Sequence, residues 1–598
     1  MIKFFKLLAL VPAATAVALE CHPEGPILPR PHNLTQAKTF QAALSNLTDS
    51  LDAAFTSKIR GGWDIRNVSL SIGLVGLEQT EPTIPLWEYH HLASGNVNGT
   101  KTLDRHSQYL IGSVSKVISD AILLRSGVDL DDPITKYLLS LANESSLVSW
   151  ENITLRQLSS QLAGIPPNYG FSEYYYIKDY FEALGFPHLN DSAYQECGII
   201  GLNGACTEQQ LLDGLLKTYP IAPPQSRPIY SNIAFTLFTL ALSAKTNLTY
   251  AQLLDTLTAP LNMTSTLPSP GTDSLAVIPP VANSWGTDYG PNAPGGGLVS
   301  TLSDLTSFLH AILSRSPMLG LSPTQTNEWL QPRAFTGSRS SFVGAPWEIF
   351  RPEPELLFPS YDAASGQGGH TVTVLAKDGA AYGYRARVAL LDEYGVGLVL
   401  LTAGDADALT SVFDAALSVL VPALEGATRE EGEREYAGTF AGRSTRETGE
   451  VEVNASVALD GASLRLTGLA RNGTDVLESL GQLWAATIGG FLSSIETTGV
   501  HRLYPAGITR EGVLADGTKV LEEDWRLSPD LVLNSNTELP GKGISGNDCL
   551  GWTLVDWMYY GSESVDRFVF VKDAGTGSVL GLDLPFLRTG SMGKARVE

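Results

Sequence analysis

The chain has 598 residues, 43% hydrophobic and 17% charged, with a formal net charge of −23. This composition can bury a large core and excludes a disordered chain, and its acidity excludes nucleic acid, which demands a basic surface. Length suggests about three or four domains, although large hydrolytic folds run longer as one unit.

At the N-terminus, Lys3 and Lys6 precede the apolar run Leu7 to Val11, followed by Ala14-Thr15-Ala16 or Ala16-Val17-Ala18. A basic start, a short apolar run and a small-residue cleavage site read as a signal peptide over residues 1–18, so a secreted, extracellular protein is expected. No later segment reaches the 18 or so uninterrupted apolar residues of a membrane helix. The longest, Ile233 to Ala244, is too short, and no membrane partner is expected.

Sequons fall at Asn33, Asn46, Asn67, Asn98, Asn143, Asn152, Asn190, Asn247, Asn262, Asn454 and Asn472. Composition alone would supply roughly four or five, so the excess predicts a glycosylated surface. Four cysteines, Cys21, Cys197, Cys206 and Cys549, allow three disulfide connectivities. We favour Cys197–Cys206, which closes a short loop containing Gly198, Gly201 and Gly204; Cys21–Cys549 follows by exclusion. Closing so small a loop contributes about 2–3 kcal/mol.

The first strand signal is Val68 to Gly76, where apolar and polar residues alternate as in a half-buried strand. Strand-like Tyr89 to Ser94 follows, then helical patterns from about Ser113 to Arg315. Strand character returns at His370 to Ala376, Tyr382 to Leu391 and Gly395 to Ala403. These predict one sheet assembled from both ends of a domain over 19–425, with a helical subdomain between. The charge-dense stretch Glu425 to Glu435 reads as a linker. Beyond it, alternating runs at Glu450 to Val453, Ser463 to Leu466 and Arg567 to Val571 predict an antiparallel β domain over 436–598, a sandwich or small barrel. Trp484, Trp525, Trp552 and Trp557 are expected in its core.

Chemistry concentrates at Ser113-Val114-Ser115-Lys116, an S-x-x-K motif opening a helical pattern that ends at Gly127. Three residues apart on a helix share one face, so the ammonium sits beside the hydroxyl. A desolvated lysine there loses its proton readily and can take the serine's. The motif alone is weak: one or two matches arise by chance, and Ser591 to Lys594 is a second. Its neighbours give it weight. Pro228-Ile229-Tyr230-Ser231-Asn232 directly precedes an apolar helix; Leu130-Asp131-Asp132-Pro133-Ile134, Ile153-Thr154-Leu155-Arg156-Gln157-Leu158 and Gly295-Gly296-Gly297-Leu298-Val299-Ser300 lie around it in order.

Across residues 60–405 these segments resemble, collinearly, the serine β-lactamase/penicillin-binding-protein family, in particular class C β-lactamases and secreted fungal β-lactamase-like proteins. Pro346-Trp347-Glu348-Ile349 resembles a segment of the fungal members, and Gln161 stands where the family usually has His. The resemblance implies an α+β transpeptidase-like fold and acyl transfer. Ser113 would be the nucleophile, Lys116 and Tyr230 its general bases, and Asn232 a positioning residue.

The family's third motif, Lys-Thr-Gly or a variant ahead of a strand, matches Ala363-Ala364-Ser365-Gly366-Gln367-Gly368-Gly369-His370. On that alignment Ser365 and Gly366 fit, the Gln367 N–H completes the oxyanion hole, and His370 leans toward the substrate in place of the missing cation or packs against Tyr230. Ala364 stands where the cation should be. Its absence would weaken binding of a carboxylate, so a neutral ester or amide is expected rather than a carboxylate-bearing β-lactam.

Two other readings stay open. One is a catalytically inactive binding protein on a retained hydrolase fold, motivated by Ala364; the other is a peptidase for D-amino-acid peptides. His90-His91 has no third ligand nearby, and no closely spaced Cys/His set, P-loop or H-E-x-x-H occurs. No metal or cofactor is expected. The absence of a G-x-S-x-G elbow disfavours an α/β-hydrolase.

Overall fold

A computed structural model describes residues 17–19, 22–361, 369–446, 449–461, 463–491, 495–533, 540, 549 and 551–595. The chain divides into two compact units: residues 41–353 with 371–420, and residues 1–40 with 354–370 and 421–598. The second therefore takes in an N-terminal segment and a short internal one that the sequence reading placed in the hydrolase domain.

In the first unit, β1 (Val68–Gly76) is buried along all nine residues rather than half-buried. The reason lies in its small polar positions, which are covered and bonded: Ser71 Oγ lies 2.9 Å from Tyr109 Oη, and Ser69 Oγ accepts the Ala93 N–H at 3.0 Å. β2 (Trp87–His91) pairs with β1. Here His91 stacks on Phe55 at 4.0 Å and His90 Nδ1 sits 2.9 Å from Ser71 Oγ.

The helical subdomain follows, with α1 (Ser115–Arg125), α2 (Ile233–Thr246) and α3 (Leu302–Leu313). α1 and α2 are buried on nearly every side and lie inside a core that includes Trp150, Phe235, Phe238 and Trp329. The sheet resumes as β3 (Ala334–Phe335), β4 (Ser341–Val343), β5 (Glu348–Phe350), β6 (Val374–Ala381), β7 (Tyr384–Leu391) and β8 (Val396–Gly404). Its order is β2-β1-β8-β7-β6-β5-β4-β3, antiparallel throughout. Segments from both ends of the unit thus build one sheet, as predicted.

The stretch expected as a linker is helical. α4 (Asp407–Tyr436) runs for 30 residues, and Glu425 to Glu435 is its C-terminal third. Ala, Leu, Glu and Arg are strong helix formers, and charge density does not oppose them on an exposed face. α4 is also long and apolar enough to cross a membrane by length and composition, with 56% of its apolar window buried in the fold.

In the second unit, β9 (Gly438–Arg446), β10 (Gly449–Asp460) and β11 (Ser463–Arg471) precede α5 (Val476–Phe491). β12 (Ile495–Val513), β13 (Lys519–Leu533), β14 (Arg567–Asp573), β15 (Val579–Asp583) and β16 (Met592–Lys594) complete it. Each strand pairs antiparallel with the next and β16 returns to β9, so the eight close into an up-and-down barrel. At this strand number side chains fill the interior. Trp525 and Phe570 sit 5.2 Å apart, with Tyr436 of α4 at 4.9 and 5.0 Å from them. Trp484 and Trp525 are buried as expected, whereas Trp552 and Trp557 are exposed, because their segment lies outside the strands whose inward positions make the core.

Cys197 and Cys206 form the favoured disulfide. The second expected pair falls on Cys21, outside the described residues, as does the expected signal peptide through residue 16; Val17–Leu19 forms a short strand against β13.

Candidate active site

Ser113 lies in a 3-10 turn, Gly112–Val114, that runs straight into α1. The S-x-x-K spacing therefore spans the turn and the first residues of the helix, and Lys116 projects back toward the hydroxyl. Lys116 Nζ donates to Ser113 Oγ at 2.9 Å, to Asn232 Oδ1 at 2.6 Å and to the Gly295 carbonyl. Tyr230 Oη donates to Ser113 Oγ at 2.6 Å. The serine oxygen is thus gripped by both expected bases.

Lys116 is completely buried, while Tyr230 is 43% exposed and opens the cluster to solvent. Burial drives the Lys116 ammonium well below its ordinary pKa; the positive charge of Lys377 lowers it further, and Glu348 pulls it partly back. A lysine in this setting is readily neutral and can accept a proton.

The Tyr230-Ser231-Asn232 segment is held from behind by residues 161–168. Gln161, at φ +63°, accepts the Ser231 N–H on its side-chain oxygen at 2.6 Å, and its carbonyl accepts the Ile229 N–H at 2.8 Å. The Pro167 carbonyl accepts the Asn232 N–H at 2.9 Å, and Asn232 Nδ2 donates to Asn168 Oδ1 at 2.7 Å. Gln161, noted in the sequence only as a departure from the family pattern, clamps the tyrosine's strand of chain.

β6 passes along the other side of the nucleophile. A Cβ at Gly379 would fall 2.0 Å from the Ile111 carbonyl oxygen, and one at Gly112 would fall 2.3 Å from the Ala380 nitrogen. Backbone meets backbone here, which only glycine permits. N–H groups two apart on a strand point the same way. The Asp378 N–H points away from β7, to Glu348 Oε2 at 2.9 Å. The Ala380 N–H therefore also points away from β7, past the end of β5, toward the turn that carries Ser113. The Ala380 nitrogen and the Ser113 turn are thus close neighbours.

Two residues before Gly379, Lys377 is 1% exposed, ion-paired with Glu348, and donates to the Asp378 carbonyl at 2.8 Å. Its ammonium sits 5.4 Å from the centroid of the Tyr230 ring, and that of Lys116 lies 4.9 Å from the same centroid.

The β-lactamase family profile matches residues 86–421, and a second profile, described as a β-lactamase-like C-terminal domain, matches 428–594. A "Beta-lactamase-like protein" of Arthroderma benhamiae is 42% identical over 99% of this chain and 100% of its own length. The chain belongs to the β-lactamase-like hydrolase family. "Probable hydrolase M10" of Phoma sp. is 26% identical over 85% of this chain and 82% of its own length. Among solved structures, a penicillin-binding protein homologue from Pyrococcus abyssi aligns with a TM-score of 0.44 at 15% identity, over 82% of this chain and 99% of its own.

For this β-lactamase-like chain, the structure gathers Ser113, Lys116, Tyr230 and Asn232. Ala364, Ser365, Gly366 and Gln367 lie outside the described residues. The strand against the nucleophile carries Lys377-Asp378-Gly379, a Lys-x-Gly triplet, with Gly379 and Ala380 packed against the backbone of residues 111–114. His370 is a packing residue of the second unit. Its ring stacks on Phe358 at 5.7 Å, and its Nδ1 is 3.8 Å from Glu425 Oε2. Lys377, Gly379, Ala380 and Glu348 were missed as site residues. The available signal was the Lys-x-Gly triplet itself, which lies inside β6 rather than ahead of it.

Proposed function

We propose that this chain is a serine hydrolase that forms an acyl-enzyme at Ser113 and acts on a neutral ester or amide. The observation that carries the reading is the Ser113 hydroxyl held at 2.9 Å from a fully buried Lys116 and 2.6 Å from Tyr230. Neutral Lys116 takes the Ser113 proton as Oγ bonds to the carbonyl carbon. The N–H groups of Ser113 and Ala380 hold the oxyanion. On collapse, the proton passes by way of Tyr230 to the leaving oxygen or nitrogen, and water then attacks the acyl-enzyme with the roles reversed.

Ala364 no longer supports a neutral substrate, because Lys377 supplies the cation. The preference rests instead on the ion pair of Lys377 with Glu348, which already occupies the cation that a substrate carboxylate would need. The inactive binding-protein reading loses its motive for the same reason. We also read the protein as secreted and glycosylated: the asparagines of ten of the eleven sequons are exposed, and Asn67, half-buried, donates to Asp64 at 2.8 Å.

The test is intact-mass analysis after a broad serine-hydrolase probe, beside a Ser113→Ala control. One adduct that vanishes in the control supports the reading; no adduct on folded protein refutes it. Faster turnover of a cephalosporin than of p-nitrophenyl acetate would refute the neutral-substrate part alone.

A further inference from the structure

We infer that residues 171–189 form an apolar docking surface at the rim of this site, seating the hydrocarbon of a neutral lipid ester presented at an aggregate surface. The inference rests on the acyl-transfer reading and names its substrate class. Six large apolar side chains of this segment stand in solvent: Phe171 at 60% exposure, Tyr174 at 53%, Tyr176 at 61%, Tyr180 at 63%, Leu184 at 61% and Phe186 at 58%. Isolated apolar residues are ordinary on a surface, but a continuous run of this kind marks an interaction.

The segment is held in shape with its aromatics outward. Tyr175, between two exposed tyrosines, turns inward: its Oη donates to Asp191 at 2.7 Å, accepts from Lys178 at 2.9 Å, and its ring packs on Tyr194 at 5.2 Å. Phe181 and Phe186 stack edge to face at 5.3 Å.

The N-terminal end of the excursion is fastened at the site. Asn168, which accepts from Asn232, donates to Ser172 Oγ at 2.7 Å. The Gly170 N–H donates to Gln195, and a Cβ at Gly170 would fall 2.4 Å from the carbonyl oxygen of the disulfide-bonded Cys197. The apolar surface therefore begins three residues from a side chain that touches the Lys116 cluster.

Charge selects the occupant. The segment carries Glu173, Asp179 and Glu182 against Lys178, and the chain as a whole carries −23. An anionic surface is repelled, whereas tyrosines, apolar with one polar end, suit a neutral lipid–water boundary.

The test uses the full chain and Tyr174→Ser/Tyr180→Ser/Phe186→Ser, three exposed positions outside the catalytic cluster. On dispersed tributyrin above its solubility limit, the triple variant should lose at least about tenfold in rate, while p-nitrophenyl acetate hydrolysis stays within about twofold. Co-flotation of Ser113→Ala protein with triolein droplets, and its loss on adding the three substitutions, reads docking without catalysis. Equal loss on both substrates, unchanged tributyrin hydrolysis, or binding only to anionic vesicles overturns the proposal. So does a wild-type dimer that the substitutions turn into a monomer, since the occupant is then a second copy. Flotation without acetate hydrolysis would instead refute the acyl-transfer reading and leave the docking surface standing.

Discussion

Lys377→Met and Glu348→Gln should move the acid limb of the pH profile in opposite directions. Lys116 must be neutral to accept the Ser113 proton, so kcat/KM rises as pH passes through its pKa. Burial lowers that pKa first, the Lys377 charge lowers it further, and the Glu348 charge raises it. The Lys116 and Lys377 ammonium nitrogens lie 4.9 and 5.4 Å from one ring centroid, so they are separated by at most the sum of those distances, about 10 Å. At an effective dielectric near 20, two positive charges about 10 Å apart repel by about 1.6 kcal/mol. Lys377→Met should therefore shift the acid limb upward. Glu348→Gln removes a charge that favours the ammonium and should shift it downward. The assay is kcat/KM for p-nitrophenyl acetate across the pH range, with folding checked by circular dichroism. Loss of β6 positioning alone would lower the plateau and leave the limb in place. Two variants that lower the plateau without moving the limb, or move it the same way, refute the proton-acceptor role of Lys116.

Gly379→Ala should reduce kcat/KM by at least about 100-fold with the fold retained, because the added Cβ pushes β6 off the Ser113 turn and spoils the oxyanion cradle. Gln161→Leu strips the Ser231 N–H of its acceptor, and calorimetry should show a loss of about 1–3 kcal/mol together with a fall in kcat as Tyr230 loosens. Asp120, one turn beyond Lys116, has its pKa raised by burial to about 7, although Trp329 donates to it at 2.7 Å. A carboxyl raised in the folded state is stabilising while protonated, and that stability is lost as pH climbs from about 4 to about 7. Asp120→Asn should thus match wild type in thermal unfolding at pH 4 and exceed it at pH 8, by as much as about 4 kcal/mol. No difference between the two pH values would show that Asp120 ionises without penalty.

Much of the site was legible because its residues are local. Ser113 and Lys116 need only three residues of helical spacing, and Tyr230 and Asn232 stand immediately before an apolar helix whose pattern is plain. The partnerships that hold them are long-range. Gln161 and Ser231 are 70 residues apart, and their bond depends on a positive φ that no periodicity announces. The linker reading failed on a similar point: charge density was read as solvation, while Leu424, Glu425 and Ala427 are buried on one side of α4.

The third motif shows how strand geometry hides a site. In an alternating strand, Lys377 and Asp378 point to opposite faces. Lys377 turns toward Tyr230 and is covered, while Asp378 pairs with Arg387 on β7, whose guanidinium lies 4.3 Å over Phe413. Between two buried apolar strands, a Lys-Asp pair reads as a polar interruption or a turn, so a Gly-rich stretch upstream draws the alignment instead. What distinguishes the real position is the glycine. Gly379 permits the backbone contact with Ile111 that brings an N–H to the nucleophile, and that close approach exists only once the sheet and the helical subdomain have packed. The chemistry of the site is written in residue types, but only the packed fold brings Lys377-Asp378-Gly379 onto the strand against Ser113.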